Sequence, residues 1–166
     1  MRMRCKAVAA ALLATVSLQG VASAETVLRL DEVPVGELDP AKASDYADSI
    51  LMFNLYDTLV IPKAGQPGFD PFLATGWETD GKSYTFKLRT DVKFQSGNPL
   101  TADDVVFSFQ RMQALGQGLS YLFTDVEKAE AVDPETVKFT MKQSYAPFIA
   151  ALSRLPIIDK KLVSEN

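Results

Sequence analysis

Residues 83–89 alternate polar and apolar side chains without a break: Ser83, Tyr84, Thr85, Phe86, Lys87, Leu88, Arg89. Successive strand residues face opposite sides, so this pattern predicts a half-buried β-strand with Tyr84, Phe86 and Leu88 inward. Just upstream, Asp80-Gly81 tolerates positive φ and predicts a hairpin turn. Downstream, Ser96-Gly97-Asn98-Pro99 makes another turn. It leads into a helix over Ala102–Met112 that buries Val105, Val106, Phe109 and Met112. Thr101 is a good N-cap for that helix, Asp103 and Asp104 suit its positive start, and Arg111 suits its negative end.

The same logic covers the rest of the chain. Residues Thr26–Leu30 alternate and predict a short strand, and the Pro- and Gly-bearing segment 31–40 predicts a loop. Residues 45–59 carry Ile50, Leu51, Phe53, Leu55 and Tyr56, a pattern fit for a mostly buried helix capped by Ser44 or Asp45. Residues 60–72 hold two Gly and three Pro, so the chain turns there. Two strands, roughly 126–132 and 136–141, flank a turn at Asp133-Pro134-Glu135. Residues 146–153 predict one more short helix with Pro147 in its first turn, and Leu155-Pro156-Ile157-Ile158 is strand-like. Helices and hairpin-linked strands are interspersed without regular alternation, so the expected class is α+β.

The N-terminus changes the picture of where such a domain works. Arg2, Arg4 and Lys6 form a basic head, followed by an apolar run from Ala7 to Leu18 and then Ala22-Ser23-Ala24. That order predicts a secretory signal peptide over 1–24 with a small-residue cleavage site, the mature chain starting near Glu25. The apolar run falls short of the roughly 20 residues of a membrane span, so no stable membrane insertion is expected after cleavage. Cleavage removes three positive charges and shifts the formal charge from -4 to -7. An acidic surface argues against nucleic acid as a partner. Cys5, the sole cysteine, lies in the basic head and not at the cleavage point, which argues against a lipid anchor and for a freely diffusing periplasmic protein.

Loss of Cys5 would leave a mature chain with neither thiol nor imidazole, since the sequence has no histidine. Ser-His-Asp and Cys-His catalytic sites and His- or Cys-based metal sites are thereby excluded. No cofactor is expected. Asp103-Asp104 is the candidate for acid–base chemistry. Adjacent helical residues point in different directions, however, and the helix dipole accounts for both carboxylates, so the structural explanation is favoured. Gly116-Gln117-Gly118 lacks the lysine, hydroxyl and spacing of a phosphate loop and is expected to be a flexible connector. Trp77 beside a hairpin is expected to pack into the core, with a stacking platform as the alternative. Tyr46, Ser120 and Tyr121 fall in irregular segments, where recognition residues often sit.

Residues 76–112, GWETDGKSYTFKLRTDVKFQSGNPLTADDVVFSFQRM, resemble the signature of the family 5 extracellular solute-binding proteins. That family includes the dipeptide-, oligopeptide- and nickel-binding components of ABC importers. Leu38-Asp39-Pro40 and residues 54–60 look like its opening, and residues 131–141 and Ala146-Pro147-Phe148 like its next blocks. The resemblance implies a type II periplasmic-binding-protein fold that closes on its ligand between two lobes. It implies a first segment of lobe I at 25–45, a small additional lobe at 46–155, and a return towards lobe I at 156–166. By this likeness, Ala43, Ser44, Asp45 and Tyr46 on one segment and Leu119, Ser120 and Tyr121 on another face the ligand. The implied partners are a small-molecule or peptide ligand and the membrane permease subunits of an ABC importer.

Family members are much longer, and the opposing lobe is expected to lie outside these 166 residues. The expected function is therefore that of the substrate-binding component of an importer for peptides, represented by its N-terminal portion. A nonfunctional remnant or split gene product is the alternative, and a secreted carboxylate-dependent enzyme acting through Asp103 or Asp104 is the third. The resemblance leaves peptide, opine, sugar and metal chelate open as solutes.

Overall fold

The computed structural model describes residues 36–164, all within one compact unit. The basic head and apolar run of 1–24 and the expected strand Thr26–Leu30 lie outside the described residues. In chain order come helix α1 (Tyr46–Leu55), strands β1 (Val60–Pro62), β2 (Phe69–Pro71), β3 (Ala74–Thr79) and β4 (Ser83–Leu88), and helix α2 (Ala102–Leu115). A 3-10 turn (Ser120–Phe123), strands β5 (Val126–Asp133) and β6 (Thr136–Met141), and helices α3 (Phe148–Leu152) and α4 (Lys160–Ser164) follow.

The alternating segment forms β4, as its pattern predicts, and sits inside a four-stranded antiparallel sheet of order β3-β4-β6-β5. Tyr84 lies opposite Phe139, and Phe86 opposite Val137. The hairpin between β3 and β4 turns at Asp80, whose carboxylate accepts the N–H groups of Lys82 (2.8 Å) and Ser83 (2.6 Å). Short-range geometry thus fixes the register, and the register puts Tyr84, Phe86, Leu88, Val137, Phe139 and Met141 together in the core.

α2 covers that inner face with Val105, Phe109 and Met112, and α3 adds Phe148 and Leu152. Phe139 is the hub. Its ring makes edge contacts with Phe109 (5.7 Å between centroids), Phe148 (5.2 Å) and Phe86 (6.1 Å). Aromatic pairs prefer such tilted arrangements because the electron-rich face of one ring meets the positive edge of the other. Trp77 packs against the core with its ring 6.0 Å from that of Phe86.

α2 starts where the capping pattern predicts. Asp104 reaches back to accept the N–H (2.8 Å) and hydroxyl (2.7 Å) of Thr101, while its second oxygen accepts the N–H of Lys160 (3.0 Å). That second bond belongs to a wider tie between α2 and the chain end, because the Ser108 hydroxyl accepts the N–H of Ile158 (3.0 Å). The Ile157 N–H goes to the carbonyl of Asp57 (3.0 Å). Residues 155–159 are consequently irregular and not a strand: their donors are taken by a side chain here and a loop carbonyl there, so no ladder forms.

α1 differs from expectation in extent and in burial. It ends at Leu55, and only Ala47, Asp48 and Met52 are buried, whereas Tyr46 (82%), Phe53 (50%) and Leu55 (52%) are exposed. A single narrow stripe touches the body, and the chain then leaves the helix in extended conformation at Tyr56 to enter the β1–β2 hairpin. That hairpin occupies the region read from sequence only as turn. No helix of the described residues is long and apolar enough to cross a membrane.

Candidate functional site

Asp39 organises the segment that precedes α1. Its backbone carbonyl accepts the N–H groups of Lys42 (2.9 Å) and Ala43 (3.0 Å), and its Oδ1 accepts that of Ala41 (3.0 Å). An aspartate that bonds its own following backbone closes a tight turn without help from a sheet. Pro40 suits the turn because it needs no N–H of its own.

The turn is locked from two sides. Arg111, on the last stretch of α2, donates Nη1 to Asp39 Oδ1 (2.7 Å) and Nη2 to Asp39 Oδ2 (2.6 Å), a two-pronged bridge. Both side chains are mostly withdrawn from solvent, at 25% and 18% exposure, so water screens the pair less than it would on the surface. The guanidinium beside Asp39 holds its carboxyl down to about 2 from the ordinary 3.8, with the Ala41 N–H and the charges of Arg111 and Lys42 adding to the effect. Sequence pattern assigned Arg111 to the helix dipole; the structure instead gives it a specific anion 72 residues away.

Gly118 closes the other side. A Cβ built there would lie 2.9 Å from the carbonyl oxygens of Ala41 and Ala43, and the residue has φ +55. Only glycine fits so close a backbone approach in that conformation. Gly116-Gln117-Gly118 is therefore not a free connector. Gly116 ends α2 in the left-handed conformation, and Gly118 seats against the 41–43 turn.

This contact brings the two predicted segments together. Ala43 and Leu119 line one small concavity, with Pro40, Met52, Phe53 and Tyr56 completing much of its wall. Arg154 stands over the Phe53 ring at 4.9 Å. Around that point Ser44, Asp45 and Tyr46 are exposed, with Asp45 extended (φ -77, ψ 162). Leu119 and Ser120 are half-buried, and Tyr121 is 64% exposed. Ser120 O accepts a bond from the Gln113 side chain (3.4 Å), which ties the second segment to α2 as well. Met52, Phe53, Tyr56, Arg154 and Gly118 escaped the sequence reading of the site. The only sequence signal that pointed to any of them was the paired glycines after the helix.

The concavity holds ≈ 20 Å³, room for about one water molecule and far below the roughly 300 Å³ at which small-molecule sites begin. The candidate residues therefore present an open surface and not an enclosed pocket. A larger groove of ≈ 420 Å³ lies between residues 55–57, 92–96 and 157–163, and none of the predicted ligand residues lines it. The paired carboxylates are placed elsewhere: Asp104 is engaged as the helix cap, and Asp103 is exposed beside Lys160 at 3.7 Å.

The family described as bacterial extracellular solute-binding proteins, family 5 Middle, matches residues 68–166. Over 137 residues the chain is 36% identical to a probable D,D-dipeptide-binding periplasmic protein of Escherichia coli, covering 78% of this chain and 27% of the relative. It is 39% identical to the dipeptide-binding protein of Escherichia coli, covering 60% and 22%. Among solved structures, the solute-binding protein MoaA of A. tumefaciens in complex with mannopinic acid aligns with a TM-score of 0.71 at 35% identity, covering 79% of this chain and 29% of that one. The Helicobacter pylori periplasmic binding protein DppA in complex with the peptide STSA aligns at 0.65 and 32% identity, covering 77% and 30%. The chain thus spans about a quarter of the length of the relatives it matches, and its architecture is part of the type II periplasmic-binding-protein fold. With the family matched over more than half of its residues, the chain belongs to the family 5 bacterial extracellular solute-binding proteins.

Proposed function

We propose that this chain contributes one ligand-facing surface of the substrate-binding component of an ABC importer, with peptides as its solute. The observation that carries the proposal is the joining of Ala43–Tyr46 to Leu119–Tyr121 by the Gly118 seat, which leaves Ser44, Asp45, Tyr46 and Tyr121 outward and unburied. The exposed backbone at Ser44 and Asp45, just ahead of α1, can meet the main chain of a peptide, a mode in which peptides are held without regard to side-chain sequence. Two exposed tyrosines add amphipathic contact area at low entropic cost. The similarity to a dipeptide-binding protein and a probable D,D-dipeptide-binding protein supports peptides as the solute class. Binding here involves no chemistry, and the carboxylates at 103 and 104 serve the fold.

A surface open on one side retains a ligand weakly, because the ligand keeps much of its own area in water. A second surface must close over it to form a tight site, and hinge closure of two lobes is the established way of doing so. Residues 46–155 form the small additional lobe in this proposal, flanked by lobe I segments at 25–45 and 156–166. Residues 1–24 direct export to the periplasm, where the loaded protein docks on the permease subunits.

Amide chemical-shift mapping with a panel of di- and tripeptides tests the placement of the ligand. Shifts centred on 43–46 and 119–121 are expected. Shifts centred on the groove at 92–96 and 157–163 would assign the ligand to the other concavity and overturn the placement.

A further inference from the structure

We propose that Arg111 is a positioning residue for ligand recognition: through its two-pronged bond to Asp39, it holds the 39–43 turn in register with the Gly118 seat and so sets the two ligand-facing segments relative to each other. The proposal rests on the peptide-binding surface described above and adds what fixes its shape.

Neither ligand-facing segment is part of the sheet. Ser44, Asp45 and Tyr46 follow a turn whose closing bonds all return to Asp39. Leu119, Ser120 and Tyr121 follow the end of α2 and are held by the Gln113 side chain, the Ser120 N–H to Gln117 O bond (3.1 Å), the Leu122 N–H to Leu119 O bond (3.0 Å) and the Thr124 hydroxyl on Tyr121 O (3.2 Å). Both segments therefore refer to one rigid element, the C-terminal half of α2. Arg111 fixes the first from the helix itself. Gly118 fixes the second against the carbonyls of Ala41 and Ala43 at the closest approach that backbone permits.

The geometry demands arginine. Two parallel N–H···O bonds at 2.7 and 2.6 Å define the carboxylate plane as well as its distance, which a lysine ammonium, a single point of charge, does not. The carboxylate that receives the fork also accepts the Ala41 N–H through Oδ1. Rotation of that carboxylate would therefore free the Ala41 N–H and loosen the turn, whose remaining bonds, from Lys42 and Ala43, go to the Asp39 backbone carbonyl. Asp39 N–H in turn donates to Glu37 Oε1 (2.9 Å), so the approach to the turn is held as well.

Hydrogen exchange and peptide titration of the chain and its Arg111→Gln and Arg111→Lys variants separate positioning from mere stability. In Arg111→Gln the amides of Ala41, Lys42 and Ala43 are expected to exchange about tenfold or more faster, while those of Phe86 and Phe139 in the sheet stay unchanged. The apparent Kd for L-alanyl-L-alanine, read from shifts at 44–46 and 119–121, is expected to rise by a similar factor. Arg111→Lys is expected to restore charge but only part of the protection and affinity.

Unchanged exchange at 41–43 in Arg111→Gln would overturn the positioning role, as would faster exchange at the turn with an unaltered Kd. Equal loss of protection in the sheet would reduce Arg111 to a general stabiliser and likewise overturn it. An unsubstituted chain that shows no shifts with the dipeptide would refute the peptide surface itself, and this result is visible before any variant is made.

Discussion

Gly116 and Gly118 both adopt left-handed backbone, with φ +61 and +55, yet a Cβ would meet nothing within 4 Å at the first and backbone at 2.9 Å at the second. Alanine at the two positions is therefore a matched pair. Each substitution incurs the cost of an L-residue in that conformation, about 1 kcal/mol. Only Gly118→Ala must also push the Ala41 and Ala43 carbonyls away by several tenths of an ångström, against a turn braced by Arg111. Overpacking of this kind adds about 1–3 kcal/mol. Urea unfolding followed by circular dichroism should then show Gly116→Ala less stable by about 1 kcal/mol and Gly118→Ala by about 2–4 kcal/mol, with similar slopes in denaturant. Equal losses, within about 0.5 kcal/mol, would mean that Gly118 is chosen for its φ alone and would refute the close seating of the two segments.

Three further outcomes follow from the same geometry. Asp39 is held at about 2 against an ordinary 3.8, so it stabilises the fold fully above pH 4 and loses that contribution as pH falls through 2; after discounting for solvent this is about 1–2 kcal/mol. Asp39→Asn should accordingly show a shallower decline in unfolding free energy between pH 5 and 2 than the parent, and parallel curves would contradict the assignment. Phe139→Ala, at the aromatic hub, should cost about 3–5 kcal/mol in urea unfolding, and a loss under about 1 kcal/mol would show the core to be organised differently. Asp104→Ala should cost about 2–3 kcal/mol, because it removes a helix cap and the bond to Lys160 together. Asp103→Ala, at an exposed pair, should stay within about 1 kcal/mol of the parent by thermal melting, so equal effects would undo that distinction.

Local signals were legible where one interaction decides. The β3–β4 hairpin, the α2 cap and the β5–β6 turn each depend on residues within four positions of one another, and sequence placed all three. The expected α+β class and type II fold hold for the same reason, since strand alternation and resemblance point the same way. Burial of α1 was misread because Phe53 and Leu55 are apolar without being covered, and periodicity cannot tell whether a partner surface exists. The strand-like Leu155–Ile158 forms no ladder because its donors go to Asp57 and Ser108, contacts made at separations of 100 and 50 residues that no local pattern encodes. Of the candidate site, local pattern singles out only Tyr46, Ser120 and Tyr121, and the pairing of their two segments is an expectation from resemblance. Their physical link was not legible: a carboxylate at 39, a guanidinium at 111 and a missing Cβ at 118 have meaning only once the chain is folded.

The central claim is that these residues offer an open ligand-facing surface that binds weakly until a second surface closes over it. Isothermal titration of the chain from Glu25 onward with di- and oligopeptides tests it most directly. Dissociation constants of about 1 mM or weaker are the predicted result, as an uncovered ligand forgoes much of its burial. A dissociation constant in the micromolar range or below would contradict the claim, because it would require an enclosed site that this fold, with its ≈ 20 Å³ concavity, does not provide at these segments.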